Sequence, residues 1–68
     1  MYRPKHFVMY CYGEIYQTHI FCYPQSRWEL VYEKYNKIVL RNKHTSIELT
    51  REDFEKRWVK VEKNGNDD

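Results

Sequence analysis

Glycine and proline are scarce in this chain, two of each among 68 residues. That leaves no glycine-rich loop to cradle a phosphate and no strand-to-helix elbow to present a nucleophile. Long apolar runs are lacking too. No stretch approaches the roughly 18 residues of a membrane span, and the opening MYRPKHF has no apolar run of the signal-peptide kind. The expected setting is therefore cytoplasmic, where thiols stay reduced. Cysteine is limited to Cys11 and Cys22, eleven positions apart, with no paired CxxC or HxxxH spacing; His19 and Cys22 form the one close pair. Structural zinc sites are normally built on such pairs, so no metal, and no other cofactor, is expected. Charge of one sign is also in short supply. The formal net charge is +2, with +4 carried by residues 1–44 and −2 by residues 45–68. A dedicated nucleic-acid binder is usually far more basic.

What the chain has in abundance is aromatic side chains, 18% of all residues, seven of them tyrosine. So short a chain buries only about 60% of its unfolded surface, and large rings are an efficient way to make that core dense. The stretch FVMYCYGEIYQTHIFCY, residues 7–23, concentrates four tyrosines and both cysteines. Its β-branched and aromatic content predicts strands over 6–12 and 15–23, reversing at Gly13-Glu14. Such a turn sets Tyr16 opposite Cys11, so the two thiols do not face each other and both read as small strand residues.

Pro24 ends the second strand, and a third is expected over 28–33, with Trp28, Leu30 and Tyr32 alternating against Glu29, Val31 and Glu33. A turn at 35–37 leads to a strand over 38–41, and a turn at 42–44 to a strand over 45–49. Then LTREDFEKRW gives the clearest local signal. Thr50 and Asp53 have capping-box spacing, Leu49 and Phe54 match a hydrophobic staple, and acids at 52 and 53 precede bases at 56 and 57. A helix over 51–58 is predicted, with Phe54 and Trp58 on one inward face, followed by a last strand over 58–62.

The expected fold is mainly β: a small antiparallel β-barrel or strongly curled sheet with one short helix before the last strand. At the level of architecture this resembles SH3-like small barrels. An open sheet with one helix packed on it, or a dimer completing its core, is the alternative. One domain is expected over 1–63, with 64–68 a disordered acidic tail.

Catalysis needs a nucleophile, a base and an orienting group held in a concave site, and a chain this short has little left after building a core. A non-enzymatic binding module without a small-molecule substrate is expected. Its size would suit an accessory protein of a phage, plasmid or other mobile element. Two surfaces are candidates. If Phe7, Met9 and Cys11 form the core side of the first strand, then Val8, Tyr10 and Tyr12, with Tyr16 beyond, make an outward stripe for a protein partner or a second copy. Alternatively, Lys34, Tyr35, Lys37, Arg41, Lys43 and His44 surround one hairpin and could bind nucleic acid, with tyrosines stacking on bases.

Overall fold

The computed structural model describes residues 1–13, 15 and 17–61. Among these, the elements run β1 (Tyr2–Pro4), β2 (Val8–Tyr12), β3 (Thr18–Cys22), β4 (Glu29–Lys34), β5 (Lys37–Asn42), β6 (Thr45–Thr50), α1 (Arg51–Arg57) and β7 (Trp58–Lys60). The protein is mainly β with a single short helix directly before the last strand, as its residue pattern predicts. The strands group into three antiparallel sheets, ordered β1-β7, β2-β3 and β4-β5-β6. Among the described residues these sheets do not close into a barrel. The expected tail at 64–68 lies outside the described residues.

β4, β5 and β6 form a meander joined by two-residue turns, Tyr35-Asn36 and Lys43-His44. With so few glycines in the chain, non-glycine residues take the left-handed positions: Tyr35 has φ 54° and Lys43 φ 56°. The register moves from Leu30↔Leu40 to Tyr32↔Val39, so Val31 is an extra residue that bulges out. This corrects the simple alternation expected for the third strand. Trp28 and Leu30 face inward, but beyond the bulge Tyr32 stands opposite Val39 and is exposed.

β1 had no counterpart among the expected strands. Its backbone pairs Tyr2↔Lys60, Arg3↔Val59 and Pro4↔Trp58 with β7, and Tyr2 exchanges two 2.7 Å bonds with Trp28 at the start of β4. Three residues with one proline carry little strand signal, but β1 is held on both sides by partners distant in sequence. Pro4 offers no amide, and the amide of its partner Trp58 is already given to the Phe54 carbonyl as the helix cap.

The helix begins as the Thr50–Asp53 spacing predicts, with the Asp53 amide donating to Thr50 Oγ1 at 3.1 Å. The other half of the capping box does not form, because the Asp53 carboxylate is used elsewhere. α1 stops at Arg57, one residue earlier than expected, and Trp58 passes straight into β7. Arg51 ties the helix start to the β4–β5 turn, donating to Tyr35 O at 2.8 Å and pairing with Glu33 at 2.6 Å.

The core gathers Val8 and Cys22 from the β2–β3 hairpin with Trp28, Ile38, Leu40, Ile47, Leu49 and Trp58. The two tryptophans meet edge to face, centroids 5.9 Å apart. Phe54 is only partly buried and tilts against Tyr2 at 5.1 Å. Trp58→Ala should therefore cost about 3–5 kcal/mol, enough to abolish cooperative thermal unfolding in so small a protein. Phe54→Ala should cost less than that, and Thr50→Ala about 1 kcal/mol. Denaturant titration of the three variants checks the ranking.

Candidate docking surface

In the β2–β3 hairpin, Val8 pairs with Cys22, Met9 with Phe21, Tyr10 with Ile20, Cys11 with His19 and Tyr12 with Thr18. The connection between Tyr12 and Thr18 therefore spans 13–17, longer than the reversal expected at Gly13-Glu14. Gly13 opens it at φ 93°, a left-handed value that glycine takes without strain. The register also places Cys11 opposite His19, not Tyr16, and Cys22 opposite Val8. Tyr16 itself lies outside the described residues.

Cross-strand partners share a face, so Val8, Tyr10, Tyr12, Ile20 and Cys22 lie on one side and Met9, Cys11, His19 and Phe21 on the other. The inward side is the first set, the reverse of the expected parity. Val8 is 4% exposed, and Tyr10 and Tyr12 pack against the core. They are not an outward stripe. The physical reason lies in the hydroxyls. Tyr10 Oη accepts from Trp58 Nε1 at 3.0 Å and donates to Asp53 Oδ2 at 2.6 Å. Tyr12 Oη donates to the Glu48 carbonyl and accepts from the Glu48 amide, both at 3.0 Å. Phe7, Met9 and Cys11 carry no hydroxyl to make these bonds, so turning them inward would forfeit all four and leave the part-buried Trp58 Nε1 and Asp53 carboxylate without Tyr10.

The opposite face is consequently the exposed one. Phe7 is 49% exposed, Met9 47%, Phe21 52% and Tyr23 51%. The rings form a group: Phe7 stacks on Phe21 at 6.0 Å and tilts against Tyr23 at 5.2 Å, while Met9 stands directly across the ladder from Phe21. Half-exposed side chains of this size present on the order of 400 Å² of apolar surface, within the range of the largest patch on a typical monomer. Between residues 7 and 23 the sequence carries one formal charge, Glu14. The lack of charge and the shared parity of Phe21 and Tyr23 were both legible in the sequence; which parity faced out was not, because it depends on where distant polar partners fall.

The cysteines are free, Cys11 exposed and Cys22 buried. Desolvation pushes the Cys22 thiol up to about 11. Among the described residues no cluster of three or more His, Cys, Asp or Glu side chains could hold a metal ion.

The residues considered for nucleic acid are not brought together. Lys34, Tyr35 and Lys37 surround one turn of the β4-β5-β6 sheet, and Arg41, Lys43 and His44 gather at its other end, about 17 Å away along β5 at the usual strand rise. Lys34 rests 5.5 Å over the Tyr35 ring. Lys37 pairs with Glu48 at 3.3 Å and Arg41 with Glu29 at 3.1 Å. These pairs are exposed and each contributes at most about 1 kcal/mol, yet they neutralise two of the cations in place.

The chain matches no protein family model, and no curated protein or solved structure is significantly similar to it.

Two measurements check the inward face. Maleimide labelling at pH 8 should modify one thiol, Cys11, in the folded protein and both after denaturation. Burial, and next the hydrogen bond to Asp53, raise Tyr10 well above its usual value of 10.0. A group raised in the folded state contributes fully below its unfolded value and loses that contribution as pH rises past it. Stability should thus decline above about pH 10. Tyr10→Phe should be less stable than the parent at pH 7 and decline less steeply in that alkaline range, read from melting temperatures.

Proposed function

We propose that this chain is a non-enzymatic protein-binding module, and that it docks through the outer face of the β2–β3 hairpin, centred on Phe7, Met9, Phe21 and Tyr23. The observation that carries this reading is the combination of large exposed rings and missing charge on one face. Interface cores are depleted in charge and enriched in Phe, Tyr and Met. The occupant that fits is an apolar, uncharged protein surface, because a strongly acidic or basic partner would bury its charges here without compensation.

The hairpin is suited to present such a face. Its inner side is anchored by the Tyr10 and Tyr12 hydroxyls to the helix, to β7 and to β6, so the outer rings stand on a fixed support and less freedom is lost on docking. Nothing in the arrangement favours nucleic acid over protein, since the basic side chains are divided between two ends of a sheet.

A Phe7→Ser/Met9→Ser double variant tests the reading. Both side chains point away from the core, so circular dichroism and melting should stay close to the parent. Cross-linking of the purified chain in native lysate, with sedimentation of the chain alone, should show a discrete complex for the parent and at least a tenfold loss for the variant. A complex that survives the double substitution, or a strict monomer that captures nothing, refutes the proposal.

A further inference from the structure

A second surface lies where the hairpin and the β4-β5-β6 meander approach without strand pairing. β6 is an edge of its sheet, and the Tyr12 hydroxyl shows which way that edge points. It takes both the amide and the carbonyl of Glu48, so these groups face away from β5. In an antiparallel ladder the outward groups recur every second residue. Ser46, paired with Arg41 two steps along the same ladder, therefore also directs its amide and carbonyl outward. Among the described residues neither group is hydrogen-bonded to another element. The two-residue Lys43-His44 turn agrees with this phase, because it requires Asn42 and Thr45 to bond each other across the ladder.

Ser46 opens onto a groove of about 600 Å³. Residues 18–21 of β3, four in succession, form part of its lining, so β3 contributes its edge and not just one face. Buried Trp28 and exposed His44 also contribute. No Lys, Arg, Asp or Glu is among the lining residues, in a chain where 32% of residues are charged.

We infer that this seam between β3 and β6 receives an extended, uncharged peptide segment by strand addition, with Ser46 as its backbone anchor. Ser46 supplies one outward donor and acceptor pair on β6, and β3, paired with β2 alone, brings its other edge to the same groove; an extended segment matches such edges better than a compact small molecule does. The absence of charge in the lining selects a segment without Lys, Arg, Asp or Glu in its paired stretch. Tyr12 sets the end of the site: by occupying Glu48, its hydroxyl stops the free edge of β6 at Ser46, so the pairing extends toward the Lys43-His44 turn. The groove shares Phe21 and His19 with the hairpin's outer face, but it is read through Ser46 on β6, which that face does not include, so the two proposals can fail separately.

The test uses random decapeptides displayed on phage and selected against the whole chain, with the enriched sequences then synthesised. Ser46→Pro removes only the outward amide, since the ladder bonds of β6 fall on Thr45 and Ile47, and proline is tolerated at such edge positions. Ser46→Ala keeps the amide and removes the hydroxyl. The expected result is enriched peptides free of charge and proline over four or five residues. Their affinity should fall at least tenfold in Ser46→Pro, hold within twofold in Ser46→Ala, and be unchanged in Phe7→Ser/Met9→Ser. If Ser46→Pro is found not to fold, the Ser46 amide of the parent gives the answer directly: bound peptide should shift it downfield and slow its hydrogen exchange. No enrichment, equal binding by a folded Ser46→Pro, an unperturbed Ser46 amide, or loss of binding only in Phe7→Ser/Met9→Ser would each overturn the inference.

Discussion

The structure depends on a short relay of hydrogen bonds: Trp58 Nε1 to Tyr10 Oη at 3.0 Å, then Tyr10 Oη to Asp53 Oδ2 at 2.6 Å. The Asp53 carboxylate is held from its other side by Arg57 Nε at 3.0 Å. The relay joins β2, the helix and the start of β7, partners 43 and 48 residues apart in the chain. A neutral hydrogen bond contributes about 1 kcal/mol net, and one to a carboxylate about 1.5–3. Leaving one of these groups buried and unpaired costs a similar amount. Among the described residues no buried side-chain nitrogen or oxygen lacks a partner. Tyr10, pointing inward, is the partner of both Trp58 Nε1 and Asp53 Oδ2 in meeting that condition.

From that one orientation much else follows. Strand parity has period two, so fixing Tyr10 inward also fixes Val8 and Tyr12 inward, and sends Met9 and Cys11 out. Tyr12 then reaches the edge of β6, and the register carries Ile20 and Cys22 toward the core. Cys22 becomes fully covered, and its thiol resists ionisation because no solvent or cation is there to stabilise a thiolate. The outward face inherits whatever is left: Phe7, Met9, Phe21 and Tyr23. An apolar side chain could have filled the core as well as tyrosine does, but it could not have closed the relay.

This also explains what the sequence could and could not disclose. The β2–β3 and β4–β5–β6 strands, the helix and its Thr50 cap are written in local patterns of period two and of capping spacing, and they form where those patterns lie. β1 is not local. Tyr2–Pro4 becomes a strand only because β7 and Trp28 provide partners on both sides. The Val31 bulge is likewise a matter of fitting β4 to β5, and no residue in Leu30-Val31-Tyr32 announces it. Parity of the hairpin is the feature with the largest consequence, since reversing it exchanges core and surface along a whole strand. Hydrophobicity alone ranks Phe and Met above Tyr for the interior; the deciding quantity is the hydroxyl, whose value depends on Asp53, Trp58 and Glu48, all more than thirty residues away.

The chain treats its surfaces unequally, and the contrast bears on function more than either surface alone. On the β4-β5-β6 meander, charged side chains stand along the strands and pair across them, Arg41 with Glu29 and Lys37 with Glu48. Such charges keep a sheet soluble and discourage edge-to-edge association. Among the described residues of the β2–β3 strands there is no comparable protection: His19 is the one ionisable base on the outer face, and the other outward side chains, Met9, Cys11 and Phe21, are thioether, thiol and aromatic. An exposed two-stranded ribbon of this composition invites association wherever it meets a matching surface. The contrast supports the proposed docking face: one sheet is guarded with charge, while the inward positions of the other went to tyrosine and its outward ones to Phe and Met.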